Sequence, residues 1–303
     1  MPNVLSYFTN AVSERIRRSP FYYERYNNTC DFALNRNYER YARECKGAYE
    51  AEHGPLDLPP SPLFENAAEL VRGAFPTEKA SSYSAKITDL IERKDAKVKF
   101  SEQEGRSAYI QTPLQTLGAD ILDVLRFPRV SQGLLAFFRS NFRILWVTCF
   151  RSFPAQSGKA GSQLWHSDSF PPYTCKMFLH LTPATAETGA TQFMNRQDTM
   201  AYRRAGYFGQ YQGERFADMQ DFARAHNLPY RPLFHSASPG DATIFDMNFF
   251  HRAVAPTASF RDVVQFCFVP SMTSWEEQLR RDGGIEGLSA RGVSKLPRDP
   301  RQT

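Results

Sequence analysis

Apolar positions change their spacing near Asn141. Before it they recur every three to four residues, in segments 10–18, 38–49, 61–75, 84–93, 117–125 and 130–138. That period predicts amphipathic helices. The Pro/Gly-rich stretch 54–62 separates two of them. After Asn141 the apolar residues come in short β-branched and aromatic runs. These read as strands at 144–150, 163–166, 175–181, 191–194, 233–236, 243–245, 250–255 and 263–269. Short strands at this density predict a double-sheet jelly roll, a mainly β fold with helical additions. Residues 1–140 are expected to form a helical elaboration packed on a core spanning 141–275. An Arg- and aromatic-rich insertion at 196–231, helical over 216–226, interrupts the core. Long insertions of this kind often act as lids or binding loops. The Gly/Arg/Pro-rich tail, 276–303, is expected to be mobile, and the whole to be one structural domain.

Composition narrows the class. Of 303 residues, 42% are hydrophobic and 23% charged, enough for a sizeable core. No apolar run approaches the roughly 18 residues of a membrane span, and the first residues lack the regions of a signal peptide. A cytoplasmic protein without a membrane partner is the expectation. The five cysteines are scattered without CxxC spacing, and Cys149, Cys175 and Cys267 fall in apolar runs, which points to reduced core residues. The net charge of +5 forms no basic stripe, so nucleic acid is not an expected partner. It leans toward a small anionic or polar substrate. Oligomeric state is left open by the sequence.

Candidate chemistry centres on Gln163-Leu164-Trp165-His166-Ser167-Asp168. On extended backbone, residues i and i+2 face one side, so the imidazole of His166 and the carboxylate of Asp168 converge. His251 is the expected third ligand, preferred to His180 and His235 because the Pro239-Gly240-Asp241 turn precedes it and Arg261 follows. Two histidines and one carboxylate on one face of a metal leave positions open, the ligand set of non-haem Fe(II) oxygenases. Those positions could take a bidentate 2-oxo acid and then O2. Arg261, ten residues after His251, can hold a carboxylate through two parallel hydrogen bonds. Alternation points the rival Arg252 to the opposite face.

These residues resemble the phytanoyl-CoA dioxygenase-like family of Fe(II)/2-oxoglutarate-dependent oxygenases. The likeness runs over roughly 141–270. It rests on the segment from Trp165 to Asp168, on Lys176-Met177-Phe178-Leu179-His180-Leu181-Thr182, on Gly189-Ala190-Thr191-Gln192-Phe193, on Pro239-Gly240-Asp241, and on His251 and Arg261. The resemblance implies a double-stranded β-helix. It also implies decarboxylation of 2-oxoglutarate to succinate and CO2, coupled to hydroxylation of an unactivated substrate carbon. It assigns Fe(II) to His166, Asp168 and His251, the distal carboxylate of 2-oxoglutarate to Arg261, and a second co-substrate contact to Gln163. The family's Pro-Gly-Ser-His stretch is replaced by Met194-Asn195-Arg196-Gln197, and Ala253 stands where a small hydroxyl residue is common. Asp168 favours hydroxylation over halogenation, since related halogenases carry a small residue there. Within the insertion, Tyr202, Arg203, Arg204 and Tyr207 are candidate substrate contacts. The competing readings are a cupin-like metal- or sugar-binding module without oxygenase activity, and desaturation or epimerisation from the same site.

Overall fold

A computed structural model describes residues 4–101, 107–154, 161–291 and 296–301. Among them are ten strands: β1 (Ala68–Val71), β2 (Val98–Phe100), β3 (Ser107–Ile110), β4 (Phe142–Ser152), β5 (Cys175–His180), β6 (Gln192–Phe193), β7 (Leu233–Phe234), β8 (Ala242–Asp246), β9 (His251–Arg252) and β10 (Arg261–Pro270). The major sheet runs β1-β8-β5-β10-β4-β3-β2, with every neighbouring pair antiparallel. The minor sheet runs β7-β6-β9, and the His166 segment adds to its edge by a bridge to His251. From β4 onward the chain passes back and forth between the two sheets. This is the double-stranded β-helix, and each of its eight core segments overlaps a strand expected from the sequence.

Period-two alternation divides each major strand between two environments. On β10, Val264, Phe266 and Phe268 point outward into the largest hydrophobic cluster, which holds Ile87, Ile121, Leu134 and Phe137 from the helical elaboration. Arg261 and Gln265, on the other parity, face the space between the sheets. The helices therefore cover the outer face of the major sheet and leave its inner face for chemistry.

Two expectations need correction. Residues 61–75 are not one helix. A short helix, Leu63–Asn66, stops at Ala67 (φ 67°), and β1 follows, paired along the edge strand β8. Open hydrogen-bonding groups on that edge outweigh local helix preference, a non-local effect that spacing alone does not report. Strands β2 and β3 likewise extend the far edge through β4. In the tail, Gly284–Arg291 is helical, and residues 296–301 run back along the helix Phe32–His53. There Tyr38 Oη donates to the Pro297 carbonyl, Arg143 Nη2 donates to the Pro300 carbonyl, and Arg301 pairs with Glu44. Few apolar residues are needed because backbone carbonyls and ion pairs make these contacts. No helix among the described residues is long and apolar enough to cross a membrane.

Candidate metal centre

His166 and His251 are direct antiparallel partners. The amide of each donates to the carbonyl of the other, at 3.0 and 2.9 Å. Paired residues share a face, and the two rings lie 4.4 Å apart, centroid to centroid. Asp168 follows two residues on, anchored by its own amide to the Met247 carbonyl. One donor atom from each of the three side chains lies within 4.8 Å of the others. His166 Nε2 stands 3.6 Å from Asp168 Oδ1, and His251 Nε2 stands 3.5 Å from Oδ2.

The imidazoles are oriented alike. His166 Nδ1 contacts the Leu164 carbonyl at 2.7 Å, and His251 Nδ1 contacts the Phe249 carbonyl at 2.9 Å. A carbonyl only accepts, so Nδ1 carries the proton in both rings and both Nε2 lone pairs point at the shared centre. This is the outer-shell arrangement expected of metal-ligating histidines. Burial, and then the neighbouring His251, push the pKa of His166 down, which keeps that ring neutral and able to ligate. For Asp168 burial alone would raise the pKa. The nearby Lys176 ammonium holds it well below the usual carboxylate range. The donor set therefore fits a divalent metal ion in charge, tautomer and spacing.

The triad forms part of the wall of a cavity of about 300 Å³ between the sheets, and Arg261 lines the same cavity. Only 1% of Arg261 is exposed. Its Nη1 donates to the Gly189 carbonyl and to Thr191 Oγ1, while Nε has no partner. Gly189 is bound to its place: at φ 84°, a Cβ there would lie 2.3 Å from the Val254 carbonyl oxygen. No carboxylate among the described residues lies within 4.0 Å of Arg261, and burial lowers its pKa to about 10. A buried guanidinium with an unfilled donor and no counter-ion fits an incoming carboxylate. A larger open groove of about 580 Å³ lies among Val12, Ile16 and Phe32 of the N-terminal helices, but it holds no histidine or carboxylate.

The remaining candidates fall elsewhere. Gln163, in the short helical turn Gly161–Gln163, is not in the cavity wall, although Ser162 beside it is. The four insertion residues are not brought to the cavity either. Tyr202 is fully buried and donates to the Pro229 carbonyl. Arg203 is buried among Asn27 Oδ1, Ser167 Oγ and the Asn248 carbonyl. Arg204 pairs with Glu24, and Tyr207 Oη donates to the Trp165 carbonyl at 2.6 Å. The physical reason is strand parity. Trp165 and Phe250 alternate with His166 and His251, so they leave the other face of the minor sheet. There they pack with Tyr202, Tyr207 and Met219. These four insertion residues cover the back of the strands that carry His166 and His251 and do not line the cavity. Gly209 (φ 59°) lies so close that a Cβ would stand 2.9 Å from His166 Cα. Arg252 also sits on that side, its guanidinium over the Trp165 ring.

One residue of the site was not singled out from the sequence. Lys176, two before Phe178 on β5, lines the cavity and places Nζ 2.7 Å from Asp168 Oδ2. Its parity with Phe178, on a strand buried at nearly every position, is the signal that points it inward.

No family model matches the chain, and no curated protein does. Solved structures do. One is the non-heme alpha-ketoglutarate-dependent epimerase SnoN from nogalamycin biosynthesis, at 14% identity over 76% of this chain and 81% of that one (TM-score 0.49). A second is the carbocyclase SnoK from the same biosynthesis, at 16% identity over 75% and 83% (TM-score 0.49). A third is EctD from S. alaskensis with bound Fe, at 14% identity over 79% and 81% (TM-score 0.48). Likenesses of this size bear on neither the metal nor the reaction of this chain.

Proposed function

We propose that this chain is an Fe(II)- and 2-oxoglutarate-dependent dioxygenase that hydroxylates an unactivated carbon of a small molecule, releasing succinate and CO2. The observation that carries the reading is one cavity with the His166–Asp168–His251 triad in its wall, both histidines buried, and a buried arginine without a counter-ion. A purely structural metal site leaves no position open and has no use for that arginine.

Each residue has a defined task. His166 and His251 would offer Nε2, and Asp168 one carboxylate oxygen, to the iron. Arg261, steadied by the Gly189 carbonyl and Thr191, would take the distal carboxylate of 2-oxoglutarate. Phe178 supplies an apolar wall. Bound iron with 2-oxoglutarate and O2 supplies the oxidant. The protein orients the two carboxylates and the substrate and keeps the space small, since about 300 Å³ lies at the lower end of ligand pockets, roughly 300–1,000 Å³.

The test is anaerobic titration of apoprotein with Fe(II) and 2-oxoglutarate, following the visible charge-transfer band of the chelate. The wild type is expected to develop the band. Arg261→Met is expected to need at least roughly tenfold more 2-oxoglutarate, the value of a lost charged hydrogen bond. His251→Ala is expected to lose metal by more than roughly 100-fold, beyond the effect of outer-shell changes. No band in metal-loaded wild type would sink the reading. Once a substrate is found, the product's mass separates hydroxylation, with one oxygen gained, from desaturation and epimerisation.

A further inference from the structure

Lys176 is an unusual side chain to find against a metal-binding carboxylate. Of the described residues lining the cavity, three are charged: Asp168, Lys176 and Arg261. The walls thus hold one negative and two positive charges. On the reading above, a divalent metal and dianionic 2-oxoglutarate cancel each other. Arg261 answers the distal carboxylate, Asp168 is shared with the metal, and one positive charge is left over. Among the residues lining the cavity Lys176 carries that charge; Arg215, a half-buried cation of the insertion whose field also reaches Asp168 and His166, does not line it. The Trp146 ring, 5.8 Å from Lys176 Nζ, adds no negative charge to neutralise it. An ammonium whose one carboxylate partner among the described residues would be shared with a metal, in a cavity otherwise walled by neutral side chains, is poised for a further anion.

We propose that Lys176 binds an anionic group of the substrate, and that the substrate is a small monoanion, in the simplest case a carboxylate. The inference rests on the dioxygenase reading. Geometry adds a constraint. Lys176 Nζ stands one hydrogen bond, 2.7 Å, from Oδ2 of the carboxylate that would ligate the metal. The anionic group and the reacting carbon must therefore lie only a few bonds apart. Lys176 is a specificity residue on this view, and Arg261 remains the co-substrate's.

The experiment uses protein loaded with Mn(II) and 2-oxoglutarate. Mn(II) is paramagnetic and does not turn over, and a Zn(II) form serves as the diamagnetic control. Broadening of the methyl proton signals of acetate and propionate is compared with that of acetamide and propionamide, which have the same shape without the charge. The wild type is expected to favour the anions by roughly 10- to 100-fold, the worth of a charged hydrogen bond. Lys176→Met should reduce that preference to within about threefold of none, and Lys176→Arg should retain most of it. Equal broadening by anion and amide in the wild type, including none by either, overturns the proposal. So does a preference that persists in Lys176→Met. The Fe(II) chelate titration is the second arm. Lys176→Met should keep 2-oxoglutarate affinity within about threefold of wild type. A loss as large as that of Arg261→Met would assign Lys176 to the co-substrate and overturn the substrate role. A normal chelate band with no anion preference defeats this inference alone, whereas a missing band in the wild type defeats the dioxygenase reading itself.

Discussion

Two buried arginines sit at the same end of the strand pair β4–β10, on opposite faces of the sheet. Arg151 opposes Asp262, and Arg261 opposes Ser152. On the outer face the Arg151 guanidinium meets Asp262 through two bonds, Nε to Oδ1 at 2.7 Å and Nη2 to Oδ2 at 2.6 Å. Ser84 Oγ and Thr88 Oγ1, from the helix Thr77–Glu92, complete that network. On the inner face Arg261 has two neutral acceptors and a spare donor. The two are similarly buried and one register step apart. What separates them is satisfaction: the first cation is matched by a carboxylate within the fold, and the second has only neutral acceptors. Burial of a charge by itself does not mark a site. Burial without a counter-ion, at a cavity wall, does.

The contrast breaks most clearly under matched substitutions. Arg151→Met strands the Asp262 carboxylate in the interior and should cost about 3–5 kcal/mol in urea unfolding. Arg261→Met removes an unpaired charge and should leave the ligand-free protein within about 1 kcal/mol of wild type, or more stable. Equal destabilisation would mean that Arg261 is a structural cation after all.

A second effect concerns His180, whose Nε2 lies 2.9 Å from Thr243 Oγ1 and whose Nδ1 has no partner. Burial, and then nearby Arg261, push its pKa from 6.5 to about 3. The unfolded chain takes up a proton as pH falls below 6.5, while folded His180 refuses it until about pH 3. Stability should therefore fall with pH across that window, by about 1.4 kcal/mol per pH unit, or about 2 kcal/mol by pH 5. Denaturant unfolding at a series of pH values checks this. His180→Gln should flatten the acid limb, and an unchanged limb would place the titration elsewhere.

The smallest effect separates the back of the minor sheet from its front. Tyr207→Phe removes the bond to the Trp165 carbonyl and should cost about 1 kcal/mol in stability, with Fe(II) and 2-oxoglutarate binding unchanged. Lost ligand binding at full stability would return Tyr207 to the substrate side.

Much of the site was legible because strand parity is a local property. His166 and Asp168 face together in any extended segment, and Arg252 faces away from His251 in the same manner. Tyr202, Arg203, Arg204 and Tyr207 lie away from the cavity wall, and composition, which marks a segment as able to bind, does not say which side of a sheet it will cover. Their aromatic and guanidinium groups serve packing and backbone acceptors as readily as ligands. Lys176 was overlooked because a single lysine in an apolar strand is informative only once the neighbouring carboxylate is known.

By itself the sequence determined the alternation of each strand, the count of core strands and the shared facing of His166 and Asp168. These depend on neighbours within a few positions. Tertiary structure decided that segment 68–71 is a strand, that the tail runs along a helix, that the insertion backs the minor sheet, and that Lys176 reaches Asp168. Those outcomes depend on which distant edge offers unpaired backbone groups, or which distant charge lies within reach. The chain's local pattern carries no record of either.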